Sequence, residues 1–325
     1  MPAGDPFKII VKESESGRRL DLLVASIIPD CPRNSAASLV NNGKIKVSGY
    51  QRKAGYKVKT GEVISGIIPE SGPIRVQPEP ESISINTLFE DDEIIVVNKP
   101  PGMVVHPSPG HSSGTLVNAL LYHRPDIKYG GDESRSGIVH RLDKDTSGVI
   151  LIAKTPEAHK KISSDFKARR NVQKKYLALV FGDMNKESGK IDLPIGRHPA
   201  DRKKISITSR RPRNAETFWK VKERYNELTL LELEIKTGRT HQIRVHCAAI
   251  HHPVVGDLVY GSRKTVNRIA ESETKRLIQG VSRQMLHAWQ LGIIHPGTGK
   301  QMVFEAPVPD DMTDVIEGFR AQSKT

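Results

Sequence analysis

The chain is 325 residues long, 37% hydrophobic and 27% charged, and its 50 Lys and Arg outnumber 37 Asp and Glu for a formal net charge of +13. That balance favours a polyanionic partner, nucleic acid or an acidic membrane surface. No run approaches the roughly 18 apolar residues of a spanning helix, two cysteines are too few for a disulfide scaffold, and the first residues lack a secretory pattern, so a cytoplasmic protein is expected.

In chain order, RRLDLLVASIIP predicts an amphipathic helix with Leu20, Leu23, Val24 and Ile27 on one side. Ser35–Asn42 predicts a second short helix, ended by Gly43 as a left-handed cap. KIKVSGY and GYKVKTGEVISGII predict strands with a hairpin turn. Between Cys31 and Gly61 there is no acid, and Arg33, Lys44, Lys46, Arg52, Lys53, Lys57 and Lys59 fall there; acids without a base then occupy Val76–Glu93. Three prolines in Ser71–Ser82 remove donors and favour extended chain. Residues 71–82 therefore read as a linker between a small α+β domain, 1–75 with its core at about 17–65, and a larger domain, 83–325.

In the larger domain strands are predicted at Ile83–Phe89, Glu93–Asn98, Gly148–Lys154, Lys175–Phe181, Glu216–Arg224 and Leu228–Ile235. Helices are predicted at Thr115–His123, Pro156–Arg169 and His241–Ile250. The short turns between strands suit antiparallel meanders better than regular βαβ crossovers. The expected fold class is α+β, with a mixed, mainly antiparallel sheet in the larger domain.

No GxxxxGK[ST] loop, GxGxxG turn or zinc-spaced cysteine pair occurs. Gly110–Gly114 fits GxSxG, with Asp143 and His287 following in hydrolase order, but His106-Pro107-Ser108-Pro109 cannot form the central strand that a nucleophile elbow needs. The ordinary reading is a polar loop, with Ser112 or Ser113 near a helix cap. His241, His246 and His251 recur at a spacing that splays them around a helix, with no acid among them, so no metal is expected.

Two stretches stand out. In GIVHRLDKDTSG, Gly137–Gly148, an imidazole, two cations and two acids lie between apolar runs, which is costly for structure alone. In KTGRTHQIRVH, Lys236–His246, cations open a helix after a strand and can neutralise those acids.

These stretches resemble the RluA/RluD group of RNA pseudouridine synthases, with the RluD-type large-subunit ribosomal RNA enzymes nearest. The matching segments are NKPPGMVVHPSPG (98–110), GIVHRLDKDTSGVILIAK (137–154), KKYLALVFG (174–182), PIGRHP (194–199), TGRTHQIRVHCAAIHHPVVGDLVYG (237–261) and MLHAWQLGIIHP (285–296). They keep the family's order across nearly the whole larger domain. The N-terminal GRRLDLLVA and SLVNNGKIKVSGYQRKAGYKVKTGEVI are similar to an S4 RNA-binding domain.

The resemblance implies an isomerase that converts uridine in RNA to its C-glycoside, with no cofactor and no metal. It assigns the essential carboxylate to Asp143, acting on ribose or uracil as a nucleophile or as an aid to glycal formation, a choice left open. Asp145 is left as a turn or capping acid. Tyr176 matches the active-site tyrosine, its ring stacked on the flipped uracil and its hydroxyl available for proton transfer. By pattern alone it alternates with Ala178 and Val180 on one strand face and reads as a core aromatic. Arg244 matches the partner of the aspartate, and Arg141 the arginine that fills the stack left by the departed base. Further RNA contacts are expected from His140, Arg239 and His241, and in the N-terminal domain from Arg33, Lys44, Arg52 and Lys53. The basic stretches Arg33–Lys59, Lys154–Lys175 and Arg197–Arg213 are expected on phosphates. The expected partner is large-subunit ribosomal RNA, within a pre-ribosomal large subunit. A transfer-RNA enzyme and a non-catalytic ribosome-assembly factor stand as alternatives.

Overall fold

The computed structural model describes residues 6–28, 31, 33–67, 78–108, 111–125, 127, 137–201, 203–225, 227–261 and 272–322. The chain divides into two units, Met1–Gln77 and Pro78–Thr325. Of the expected linker, residues 71–77 lie outside the described residues.

In the first unit, helices α1 (Leu20–Ile27) and α2 (Arg33–Asn41) join strands β1 (Pro6–Ile10), β2 (Ile45–Val47) and β3 (Val63–Ile67). The strands pair antiparallel in the order β1-β3-β2. The apolar stripe of α1 does what its spacing predicts: Leu20, Leu23 and Val24 are buried with Ala36, Leu39 and Val40 of α2 and with Ile45, Val47 and Ile64 of the sheet. Gly43, at φ 72°, ends α2 as expected. Strand β1 escapes local prediction because PFKII alternates only weakly and gains its role by pairing with β3, more than fifty residues on.

The second unit is built on a nine-stranded sheet among the described residues: β4 (Asn86–Glu90), β5 (Ile94–Lys99), β6 (Ser147–Ala153), β7 (Val172–Phe181), β8 (Ser188–Asp192), β11 (Glu216–Tyr225), β12 (Leu228–Ile235), β13 (Leu286–Ile294) and β14 (Gln301–Glu305). Strands β9 (Gly196–Arg197) and β10 (Ile205–Ser206) form a separate hairpin. The order is β4-β5-β6-β13-β7-β12-β11-β8, with β14 beside β13. Every pair is antiparallel except β6 with β13. At that parallel contact Gly148 takes φ 113°, and a Cβ there would collide with the Ala288 carbonyl oxygen, so the Thr-Ser-Gly turn needs its glycine.

Side chains alternate between the two faces of the sheet. Ile150, Ile152, Tyr176, Ala178 and Val180 face a core closed by α3 (Leu116–His123) and α5 (Gln242–Ala249). Val149 and Leu151 pack with Ala158 and Ile162 of α4 (Pro156–Ala168). Leu177, Leu179 and Phe181 pack with Met312, Ile316 and Phe319 of α7 (Asp310–Gln322) and with Ile278 of α6 (Ser272–Gln279). Sheet strands thus carry helices on both faces, which explains the near-continuous burial of β6.

The edge strand β4 is tied down by charge. Glu90 accepts hydrogen bonds from Arg124, just after α3, and from Lys154 Nζ at 3.0 Å, just after β6. The Arg124 hydrogen bond first, then Lys154, hold the Glu90 carboxyl down to about 2. A depressed carboxylate stabilises the fold above its unfolded value near 4.5 and loses that contribution as pH falls toward 2. Glu90→Gln is therefore expected to cost about 1 kcal/mol at pH 7, discounted for partial exposure, with the difference closing as pH falls. Urea melts followed by tryptophan fluorescence report the second unit alone, since Trp219 and Trp289 both lie in it. A cost independent of pH would contradict the pairing.

Candidate active site

Asp143 opens a tight turn in which the Thr146 N–H donates to the Asp143 carbonyl oxygen at 3.1 Å. Three side chains from distant segments pin that turn. Lys99, at the end of β5 and fully buried, donates from Nζ to the carbonyl oxygens of Pro100 (2.7 Å), Met103 (2.9 Å) and Lys144 (2.9 Å). Burial pushes this amine down to about 7, while the three carbonyls match the three protons of its charged form. Arg283 donates from Nη1 to the Asp145 carbonyl (3.1 Å) and is itself gripped by Asp311 of α7 at 2.6 and 2.7 Å. Gln284 Nε2 donates to Thr146 Oγ1 at 3.3 Å.

Asp143 lines a cavity of about 100 Å³ together with Tyr176, Arg244, Arg141, Arg239 and His241. Asp145 does not line it. Arg244 reaches the cavity from α5, whose start is fixed by Gln242: its Oε1 accepts from Thr237 Oγ1 (2.6 Å) and its Nε2 donates to the Glu216 carbonyl (2.9 Å). The guanidinium is shared between two acids. Nη1 donates to Asp143 Oδ2 at 3.0 Å, while Nε and Nη2 donate to Asp257 at 2.6 and 3.0 Å. Asp257 has no exposed side-chain surface and also accepts the N–H groups of Val259 (2.8 Å) and Tyr260 (3.0 Å). Burial opposes its charge, but the Arg244 hydrogen bonds outweigh burial and hold its carboxyl below the usual range. Burial likewise opposes the Arg244 cation, and Asp257, then Asp143, lift it above the ordinary arginine value. The result is a preorganised cation presented to Asp143.

Tyr176 stands on β7, on the face it shares with Ala178 and Val180, and is 9% exposed. Burial, then the nearby Asp143 charge, push its hydroxyl well above the ordinary phenol value, so the phenol is protonated near neutral pH. Tyr176 belongs to the core and also lines the cavity.

Around the mouth the charge is positive. Arg141 is exposed. Burial, then the neighbouring guanidiniums of Arg169 and Arg213, push Arg239 below the ordinary arginine value. Among the described residues none of Arg141, Arg169 and Arg213 forms an ion pair. Arg239, Arg169 and Arg213 thus concentrate positive charge beside the cavity.

Other expectations need correction. His140 does not line the cavity: its Nε2 accepts the Leu151 N–H at 3.0 Å, and its ring stacks on Phe166 at 4.9 Å. Burial, then Lys174, hold it down to about 3, so it is a neutral structural imidazole. Within Lys154–Lys175, Lys154 pairs with Glu90, Lys175 with Glu232 (3.0 Å), and Lys161 Nζ donates to the Pro296 carbonyl (2.5 Å). Burial pushes Lys174 down to about 8, with its Nζ 5.6 Å from the Phe166 ring centre. These four therefore have partners within the fold. In the first unit, Arg33 Nε donates to the buried Asp21 at 3.1 Å, whereas Lys44, Arg52 and Lys53 are exposed, with Arg52 over the rings of Tyr56 (5.0 Å) and Tyr50 (5.7 Å). Arg202 and Gly110 lie outside the described residues. The cap of α3 is Thr115, two residues after Ser113, so the serines lie near the cap as expected. His287 is buried between Ser147 Oγ (2.9 Å) and the Ala306 carbonyl, which removes it from any triad with Ser112. His246 is spent on Thr217 and Leu193, while His241 faces the cavity.

Asp257, Lys99, Arg283 and Tyr260 were not singled out from sequence. A carboxylate between glycine and apolar residues, in GDLVYG, was the one local signal for Asp257. Lys99 sits in NKPPG, where nothing local announces a buried amine.

The sequence model of the RNA pseudouridylate synthase family matches residues 93–249. A Bacillus subtilis protein named as an uncharacterized RNA pseudouridine synthase is 41% identical over 312 residues, covering 96% of this chain and 97% of its own. The ribosomal large subunit pseudouridine synthase D of Vibrio cholerae is 41% identical over 315 residues, covering 97% of this chain and 95% of its own. Among solved structures, human RNA pseudouridylate synthase domain containing 4 superposes with a TM-score of 0.56 at 25% identity, over 72% of this chain and 93% of its own. The domain-containing 1 protein does so at 0.54 and 26%, over 75% and 98%. With relatives this similar over nearly their whole length and a fold shared with solved members, the chain belongs to the RNA pseudouridine synthases of the RluA/RluD group and is an isomerase acting on RNA.

Proposed function

We propose that the chain isomerises specific uridines of large-subunit (23S) ribosomal RNA, with Asp143 as the essential carboxylate and the target nucleotide extruded from its stack into the cavity. The carrying observation is that Asp143, Tyr176 and Arg244 line one small cavity, with the acid held at 3.0 Å by a guanidinium that a second, buried acid orients. A base inside a helix cannot reach such a pocket, so extrusion is the route that brings C1′ and C5 to the carboxylate. In the reaction the C1′–N1 bond breaks, the uracil turns, a C1′–C5 bond forms, a proton leaves C5 and a proton ends on N1. Arg244 keeps Asp143 charged and aimed; the Tyr176 ring lies flat against the uracil; Arg141, exposed at the mouth, fills the vacated stack. Arg169, Arg213 and Arg239 receive the flanking phosphates. The first unit acts as an S4-like RNA-binding domain, with Lys44, Arg52 and Lys53 on its exposed basic side, and the work takes place in the cytoplasm on the pre-ribosomal large subunit.

The relatives named for the ribosomal large subunit favour ribosomal over transfer RNA. The test is tritium release from transcripts of both RNAs carrying 5-tritiated uridine. Release from the large-subunit transcript alone is expected, with affinity falling more than about tenfold between about 50 and 200 mM salt. Release confined to transfer RNA would overturn the substrate assignment, and release from neither would overturn the reaction.

A further inference from the structure

The hairpin β9–β10 is closed by mutual backbone hydrogen bonds between Ile195 and Arg213 at 2.8 and 3.0 Å. Arg197, Lys203, Lys204, Arg210, Arg211 and Arg213 belong to it, and among the described residues none of them forms an ion pair. One backbone group of this hairpin leads inward. The Ile205 N–H donates to Tyr260 Oη at 2.9 Å, and the same oxygen lies 2.8 Å from His241 Nδ1. In the tautomer in which the Tyr260 hydroxyl donates to Nδ1, the imidazole proton sits on Nε2, on the side of the ring toward Asp143. Nε2 lies 3.8 Å from Asp143 Oδ2, the oxygen that Arg244 also holds. That distance is too long for a hydrogen bond but places the ring edge beside the carboxylate. Asp143 Oδ1 receives no hydrogen bond among the described residues. His241 itself sits at φ 54°, a left-handed conformation unusual for a non-glycine residue. The Tyr260 ring adds a second hold, lying 5.2 Å from the Arg244 guanidinium carbon.

We infer that Tyr260 and His241 are positioning residues that couple the basic hairpin to the reactive carboxylate. An RNA backbone seated on the hairpin fixes Ile205, Ile205 fixes the Tyr260 hydroxyl, and the hydroxyl fixes the imidazole. Arg244 keeps Oδ2 occupied, the imidazole stands beside the same oxygen and limits where the carboxylate can turn, and Oδ1 is left to the nucleoside. Correct phosphate contact is thereby reported to the acid that does the chemistry. The inference rests on the reading of Asp143 given above.

Tyr260→Phe keeps the ring and removes only the relay. With the tritiated transcript, its single-turnover rate at saturating RNA is expected to fall about three- to tenfold, with RNA affinity unchanged within about twofold. Neutralising the hairpin with Arg210→Gln and Arg211→Gln is expected to lower both affinity and saturating rate in the wild-type background. In the Tyr260→Phe background it is expected to lower affinity alone, because the path to the carboxylate is already cut. His241→Asn, which tolerates the left-handed backbone, carries the same test independently and is expected to add nothing to Tyr260→Phe. Rate losses that multiply, or a Tyr260→Phe rate equal to wild type, would overturn the coupling. Full turnover by Asp143→Asn would instead overturn the underlying reading, so the two failures are distinguishable.

Discussion

Asp143→Asn is expected to reduce single-turnover conversion of uridine by at least about 10³-fold, with RNA affinity and the urea midpoint nearly unchanged. The substitution preserves shape and removes charge. Either route at the ribose or the uracil needs an ionised carboxylate, and an amide supplies neither a nucleophile nor a stabilising anion. Stability is expected to hold because the Asp143 side chain is 19% exposed and shares only one hydrogen bond with Arg244. The buried charge of Arg244 remains neutralised by Asp257. Tritium release read beside filter binding and a urea melt separates these effects. A rate within about tenfold of wild type would remove Asp143 from the chemistry.

Asp257→Asn is expected to behave in the opposite way, with a large loss of stability and a secondary loss of rate. Here the carboxylate is fully buried and takes two hydrogen bonds from Arg244 and two from backbone N–H groups. Its removal leaves a buried guanidinium facing an amide whose NH2 group cannot accept from it. Breaking a buried pair of this kind costs about 3–5 kcal/mol. Arg244 would also lose the hold that presents Nη1 to Asp143, and the rate is expected to fall about 10²-fold in molecules that remain folded. Tryptophan fluorescence in urea gives the first quantity and single-turnover release the second. A stability loss below about 1 kcal/mol would show that Asp257 does not anchor the arginine.

The contrast between these two aspartates shows what the sequence could and could not convey. Local periodicity placed Leu228–Ile235 on a strand at its actual limits, and it put Tyr176 on one face with Ala178 and Val180. Pro156 at the start of α4 and Gly43 at the end of α2 worked as helix punctuation because each acts through its own backbone. Strand β13 was not foreseen, although it lies in the middle of the sheet. Its alternation is broken by a register shift between His287 and Gln290, and its partners β6 and β7 come from more than a hundred residues away. The same holds for the site. The resemblance pointed to Asp143, Tyr176 and Arg244, which line one cavity, but Asp257 has meaning only through Arg244, thirteen residues earlier on another element. His140 differs from expectation because its neighbours Arg141 and Asp143 line the cavity, while its own ring is claimed by the Leu151 N–H across the turn. Lys99 reads as an ordinary surface charge until the carbonyls of Pro100, Met103 and Lys144 are seen to enclose it.

The most direct test of the account is a pseudouridine map of large-subunit ribosomal RNA from cells that lack this chain, complemented with the wild-type gene or with Asp143→Asn. One or more uridines are expected to lose their modification, to regain it with the wild-type chain and to remain unmodified with the variant. An unchanged map in the deleted cells, or full restoration by Asp143→Asn, would contradict the account.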